Sequence, residues 1–132
     1  MEITSIHKPR IVVIGSCNTD MVVKANRLPV PGETILGGTF YMNPGGKGAN
    51  QAIAASRLGA EVTFISKIGY DLFGLQALEI YKSERINTDF IFTDQKNPSG
   101  VALISVDSFG ENSIIVAPGA SRSLSIEDIN KA

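Results

Sequence analysis

Two short stretches of the chain carry side chains with useful chemistry. Residues 15–20 read GSCNTD, and residues 43–52 read NPGGKGANQA. In the first, Asn18 and Asp20 are two positions apart, so an extended backbone turns both to one side. In the second, glycines at 45, 46 and 48 surround Lys47 where the pattern turns helical, and Asn50 follows one turn after Gly46. Unpaired amides at a helix start, next to a lysine, suit an oxygen-rich ligand. A carboxylate and two carboxamides, Asp20, Asn18 and Asn50, both accept and donate hydrogen bonds, as recognition of vicinal hydroxyls on a sugar requires.

Other readings compete for the same residues. A Walker phosphate loop needs glycine five places before Gly46 and a hydroxyl after Lys47, but those positions hold Tyr41 and Gly48. A dinucleotide fingerprint needs its glycines directly after the first core strand, where only Gly15 stands. A plain surface turn accounts for the glycines taken alone, and an Asx-turn accounts for Asn18 and Asp20. The case for a site rests on two polar clusters meeting at one sheet edge, beyond the carboxyl ends of the strands. His7 in the polar start reads as a surface residue, Cys17 as packing, Asp71 as a partner of a helix dipole, and Phe40 and Tyr41 as sheet or interface packing.

The elements that must position these residues follow from pattern. RIVVIG at 10–15 reads as a strand buried on both faces, the first central strand. Residues 20–24 form a short exposed strand, broken by prolines 29 and 31, and 34–43 is extended again with a bend at Gly37 and Gly38. A helix begins after Gly46, packs through Ala49, Ala52, Ile53 and Ser56, and ends at Gly59. EVTFISKIG is a second core strand, which completes a βαβ crossover with 20–43 as an insertion. A second helix spans 71–84 with Leu72, Leu75, Leu78 and Ile80 on its apolar face, and a strand lies within 86–94. Residues 99–120 form a hairpin about DSFGEN, and Ser125 with Asp128 three places on caps a last helix. The sheet is an incomplete doubly wound α/β layer, which points to the N-terminal part of something longer.

Composition narrows the function classes. The 132 residues are 43% apolar and 19% charged with a net charge of -1, interspersed in sign, so the chain has no electrostatic footprint for nucleic acid. It shows no signal-peptide core and no apolar run long enough for a bilayer, and it has one cysteine and one histidine, so a cytoplasmic protein without a zinc cluster is expected.

GSCNTD, PVPGET, GGKGANQAIAASRLGA, KIGYDLFG and SGVALISVDSFGENSIIVAPGA, in this order and spacing, resemble the ribokinase/PfkB-type carbohydrate kinases from about Arg10 onward. The resemblance implies a doubly wound Rossmann-like fold with a small β-sheet lid formed by about 20–43 and 99–117, and a homodimer through that lid. It implies ATP-dependent transfer of the γ-phosphoryl group to the 5-hydroxyl of D-ribose. By motif, Asn18, Asp20, Gly46, Lys47 and Asn50 would hold the sugar, with Thr19, Gly45, Gly48 and Ala49 beside them and Ala102 and Ile114 reaching it from the lid. Family members are more than twice as long. Their anion hole, the catalytic aspartate of a Gly-Ala-Gly-Asp motif, and the sites for ATP, Mg2+ and K+ have no counterpart here, and APGAS at 117–121 is not that motif. No catalytic residue is therefore assigned in this chain, which alone should be silent. The alternatives are a sibling kinase acting on fructose, 2-keto-3-deoxygluconate or adenosine, and a non-catalytic sugar-binding or dimerisation module.

Overall fold

The computed structural model describes residues 7–132; the polar start at 1–6 lies outside them. Two sheets share the chain. The first is parallel and three-stranded, with β1 (Arg10–Ile14), β4 (Glu61–Gly69) and β5 (Ile91–Asp94) in the order β1-β4-β5. The register runs from Arg10↔Glu61 to Ile14↔Ile65, then from Ser66↔Ile91 to Gly69↔Asp94. Helices α1 (Lys47–Arg57) and α2 (Leu72–Ser83) cover one of its faces. The core between them holds Val13, Ala49, Ala52, Val62, Phe64, Ile68 and Tyr81, with the Phe64 and Tyr81 rings edge to face at 5.4 Å. This is the expected mixed α/β architecture.

The second sheet is mixed, in the order β3-β2-β6-β7, from β2 (Asn18–Lys24), β3 (Thr39–Gly45), β6 (Gly100–Val106) and β7 (Asn112–Ala117). β2 pairs antiparallel with β3 and parallel with β6, and β6 turns back into β7 through a loop where Gly110 has φ 84°. The stretch at 34–43 is a strand only from Thr39, because Gly37 and Gly38 take φ near 101° and 103° and turn the chain into the sheet. β6 thus has a parallel neighbour that the hairpin pattern alone does not reveal.

Two expectations change. Among the described residues β1 stands at the edge of its sheet, with a strand partner on one side only, and of its residues only Val13 is buried while Val12 and Ile14 are 61% and 52% exposed. The reason is coverage: on the side away from the helices, the 3-10 turn Gly119–Ser123 and the short α3 (Ile126–Asn130) lie over β4 and leave β1 bare. Lys67 of β4 holds that cover by donating to Asp128 Oδ2 at 2.9 Å and to the Ser123 carbonyl at 3.4 Å. On α2, the docked stripe runs through Gly74, Leu78 and Tyr81, with Leu72 and Leu75 66% and 59% exposed. Tyr81 occupies the inward position and turns the two leucines off the sheet.

Candidate functional site

The register of the second sheet decides which side chains share a face. Asn18 stands between Gly45 and Gly100, Asp20 between Asn43 and Ala102, and Val22 between Tyr41 and Ile104. Beyond β6, Ala102 pairs with Val116 and Ile104 with Ile114. Alternation therefore puts Asn18, Asp20, Asn43, Ala102 and Ile114 on one face. Thr19 falls on the opposite face, and with Met42, Pro44, Ala77 and Ile80 it lines a cavity of about 420 Å³ against α2 whose rim Asn18 and Asn43 also reach. Ala102 is buried and Ile114 half exposed, so the apolar part of the first face is preformed near Asp20 and open toward β7.

The glycines serve this arrangement through absence of a Cβ. One built on Gly45 would overlap the Asp20 carboxyl, and one on Gly100 would overlap Asn18 Oδ1. Each polar side chain lies in the notch left by a glycine on the neighbouring strand. Asn18 Oδ1 is buried and without a hydrogen-bond partner, an acceptor awaiting a donor. Burial without a neutralising cation pushes the Asp20 carboxyl up from its usual range. Both atoms would gain from a hydroxyl that donates to them.

The start of α1 abuts the same strand. Gly46, at φ 93°, is the residue before the helix, and a Cβ there would stand 2.7 Å from the Ser16 carbonyl oxygen. A Cβ on Gly48 would come 2.8 Å from Gly15 Cα, and the Ala49 amide already donates to the Ser16 oxygen at 3.1 Å. Gly46 and Gly48 thus let the helix press on residues 15–17, and Ala49 is wholly buried in the core with its amide occupied. Lys47 and Asn50 are exposed, and Asn50 lines a groove with Asn43 and Pro44 between β3 and α1. No side chain caps this helix, so its first amides have no side-chain acceptor, with Lys47 exposed and Gly48 buried.

Beneath the site, Cys17 is buried, its thiol accepting from Ser66 Oγ at 3.2 Å and its amide donating to Ser121 Oγ at 3.2 Å. Burial pushes its pKa up, which makes it a packing residue rather than a nucleophile. His7 is exposed. Asn43, Gly45 as a notch and Gly100 escaped motif reasoning, although the two-residue alternation back from Gly45 puts Asn43 on the Asp20 face. Among the described residues no three His, Cys, Asp or Glu side chains converge to hold a metal ion, and no helix is long and apolar enough to cross a membrane.

A polar pair in glycine notches thus stands just past the carboxyl end of β1, on the same sheet face as the apolar Ala102 and Ile114, in a fold of the α/β class. Residues 8–132 match the pfkB family of carbohydrate kinases, and the chain belongs to that family. It is 43% identical to the ribokinase of Mus musculus over 92% of this chain and 38% of that one, and 47% identical to the ribokinase of Bacillus subtilis over 83% and 37%. Among solved structures, it resembles ribokinase from Giardia lamblia with a TM-score of 0.86 at 34% identity, over 95% of this chain and 38% of that one. Arabidopsis thaliana ribokinase complexed with ribose and ATP matches with a TM-score of 0.80 at 34% identity, over 94% and 42%. The chain spans about two fifths of the length of these relatives.

Proposed function

We propose that this chain carries the sugar-binding half and the lid of a kinase that transfers the γ-phosphoryl group of ATP to the 5-hydroxyl of D-ribose. The observation that carries the reading is the pair Asn18 and Asp20, an unpartnered buried acceptor and a desolvated carboxylate set side by side on one sheet face. Asp20 and Asn18 would accept from sugar hydroxyls, while Lys47, Asn50 and the amides after Gly46 bind from the helix start. Ala102 and Ile114 would cover the C–H face of the ring and exclude water, so that the sugar hydroxyl rather than solvent attacks. The resemblance to ribokinases, one of them bound to ribose and ATP, supports the choice of sugar and of phosphoryl donor.

In this reading the ATP, Mg2+ and K+ contacts and the catalytic aspartate are not assigned to any residue of this sequence, because none of the family motifs that would carry them is matched in it. This chain alone is then silent in phosphoryl transfer. A cytoplasmic location and a homodimer through the lid complete the reading. The dimer is supported by the row Met42, Met21, Leu103 and Ile115 across the lid face away from Asp20, of which Leu103 and Ile115 are 51% and 71% exposed.

The test is a coupled ADP assay on the full natural chain that carries these residues, with ribose, 2-deoxyribose, fructose and adenosine compared. Ribose is expected to give the highest kcat/KM. Replacing Asp20 with Ala should raise the ribose KM about 10- to 100-fold, the loss expected for a hydrogen-bonded charge. An unchanged KM would remove Asp20 from the site, and ribose binding without turnover by the full natural chain would favour a binding module.

A further inference from the structure

Asp71 reads in the sequence as a dipole partner at the start of α2, and the structure ties it to much more. Its Oδ1 accepts from the Gly74 amide at 2.9 Å and from Ser99 Oγ at 2.7 Å, and its Oδ2 accepts from the Ser99 amide at 2.8 Å. Ser99 Oγ in turn accepts from the Gly69 amide at 2.9 Å. Ser99 is buried, and the space around it is filled: a Cβ on Gly69 would overlap its amide, and one on Gly74 would stand 3.0 Å from its hydroxyl. One carboxylate therefore binds the first turn of α2 and the residue that enters β6 directly, and through the Ser99 hydroxyl it is linked to the end of β4.

Ser99 immediately precedes the strand whose Gly100 pairs with Asn18 and whose Ala102 pairs with Asp20. Five residues separate β5 from β6, and besides Asp71 the Ala120 amide, donating to the Pro98 carbonyl at 2.7 Å, ties down the approach to β6 before its ladder with β2 begins. We propose that Asp71 is a positioning residue that clamps the entry of β6 and so sets the register of the lid against Asn18 and Asp20. This rests on the sugar-binding reading of that face. Three donors converge on Asp71, which requires a group that only accepts; an asparagine would turn an amide donor toward one of them.

The test uses the full natural chain with two variants, Asp71→Asn and Ser99→Ala, read by amide exchange and by ribose kinetics. Ser99→Ala leaves the Gly74 cap intact and removes the hydroxyl that links Asp71 to Gly69, so it separates clamping from capping even where Asp71→Asn folds poorly. Both variants are expected to speed exchange of the β6 amides about tenfold, the scale of a lost charge-assisted hydrogen bond, with β1 and α1 unchanged. Both should raise the ribose KM more than they lower kcat, and the double variant should be little worse than either single one. Wild-type exchange in β6 and a wild-type ribose KM for Ser99→Ala would overturn the clamp and leave Asp71 as a helix cap. Should Asp20→Ala leave ribose binding intact, the sugar reading fails by itself, and β6 exchange still decides the clamp.

Discussion

Asp20 occupies a position that is unfavourable for a carboxylate in the free protein. It is partly buried, fills the notch over Gly45, and its pKa is raised by desolvation. A raised folded pKa means that the native state binds the proton more readily than the unfolded chain, so stability from this group falls as pH rises from the ordinary carboxylate value of about 3.9 through the raised one. At neutral pH the ionised group is a net cost, which a hydroxyl donor would relieve. Asp20→Asn is therefore expected to keep or raise the thermal midpoint of the ligand-free protein at pH 7 while weakening ribose binding about 10- to 100-fold by calorimetry. A lower midpoint with unchanged ribose affinity would make Asp20 a structural residue. In the sugar-binding reading, stability would be given up here for an unsatisfied group that the ligand satisfies.

At the scale of elements, α1 and the loop at 15–17 meet through glycines, and α3 is fastened to β4 by charge. Gly48→Ala would drive a methyl group into Gly15 and Ser16, where backbone rather than a flexible side chain must yield. The expected cost is about 1 to 3 kcal/mol in a urea titration, as for overpacking a close contact. Gly59→Ala is the control, because Gly59 has φ 95° with open space around it, and only the backbone conformation, about 1 kcal/mol, opposes the change. The Lys67 ammonium beside Asp128, together with the amide and hydroxyl of Ser125, holds the Asp128 carboxyl below its usual range. A depressed folded pKa gives a contribution that is present above about pH 3.9 and lost as pH falls toward the depressed value. The thermal midpoint should thus drop on acidification below that point, and Asp128→Asn should flatten the drop while lowering the midpoint at pH 7. Equal acid limbs for both proteins would show that this ion pair does not hold α3.

For the whole molecule, the decisive quantity is apolar surface left outside. Val12, Ile14 and Ile11 on β1 are 61%, 52% and 38% exposed, and among the described residues no strand pairs with the outer edge of β1. The lid adds Leu103 and Ile115 on one face and Ile114 and Val116 on the other, each at least half exposed. Exposed apolar rows of this kind, one of them on an open strand edge, favour association. The 132-residue chain is expected to bind a hydrophobic dye and to sediment as dimers or larger species at micromolar concentration. Ile115→Lys should abolish the lid-mediated dimer, and Val12→Lys should reduce the larger species without touching the lid. A strictly monomeric wild-type chain would count against both surfaces.

Local chemistry made much of this legible in the amino-acid order. Prolines and glycines marked the breaks, Ser125 with Asp128 announced α3, the small residues after Gly46 announced a closely docked helix, and the two-residue spacing of Asn18 and Asp20 implied one shared face. These features act within a turn or a strand, where backbone sterics and periodicity suffice. Which neighbours fill the gaps was decided only in three dimensions. The parallel pairing of β2 with β6 set Ala102 beside Asp20, Tyr81 took the inward place on α2 that the leucine pattern implied for Leu72 and Leu75, and β1 became a bare edge. Asp71 showed its bond to Ser99 only when residues 28 positions apart came together. Long-range pairing depends on which surfaces are left to cover, and that is a property of the assembled chain rather than of any window within it.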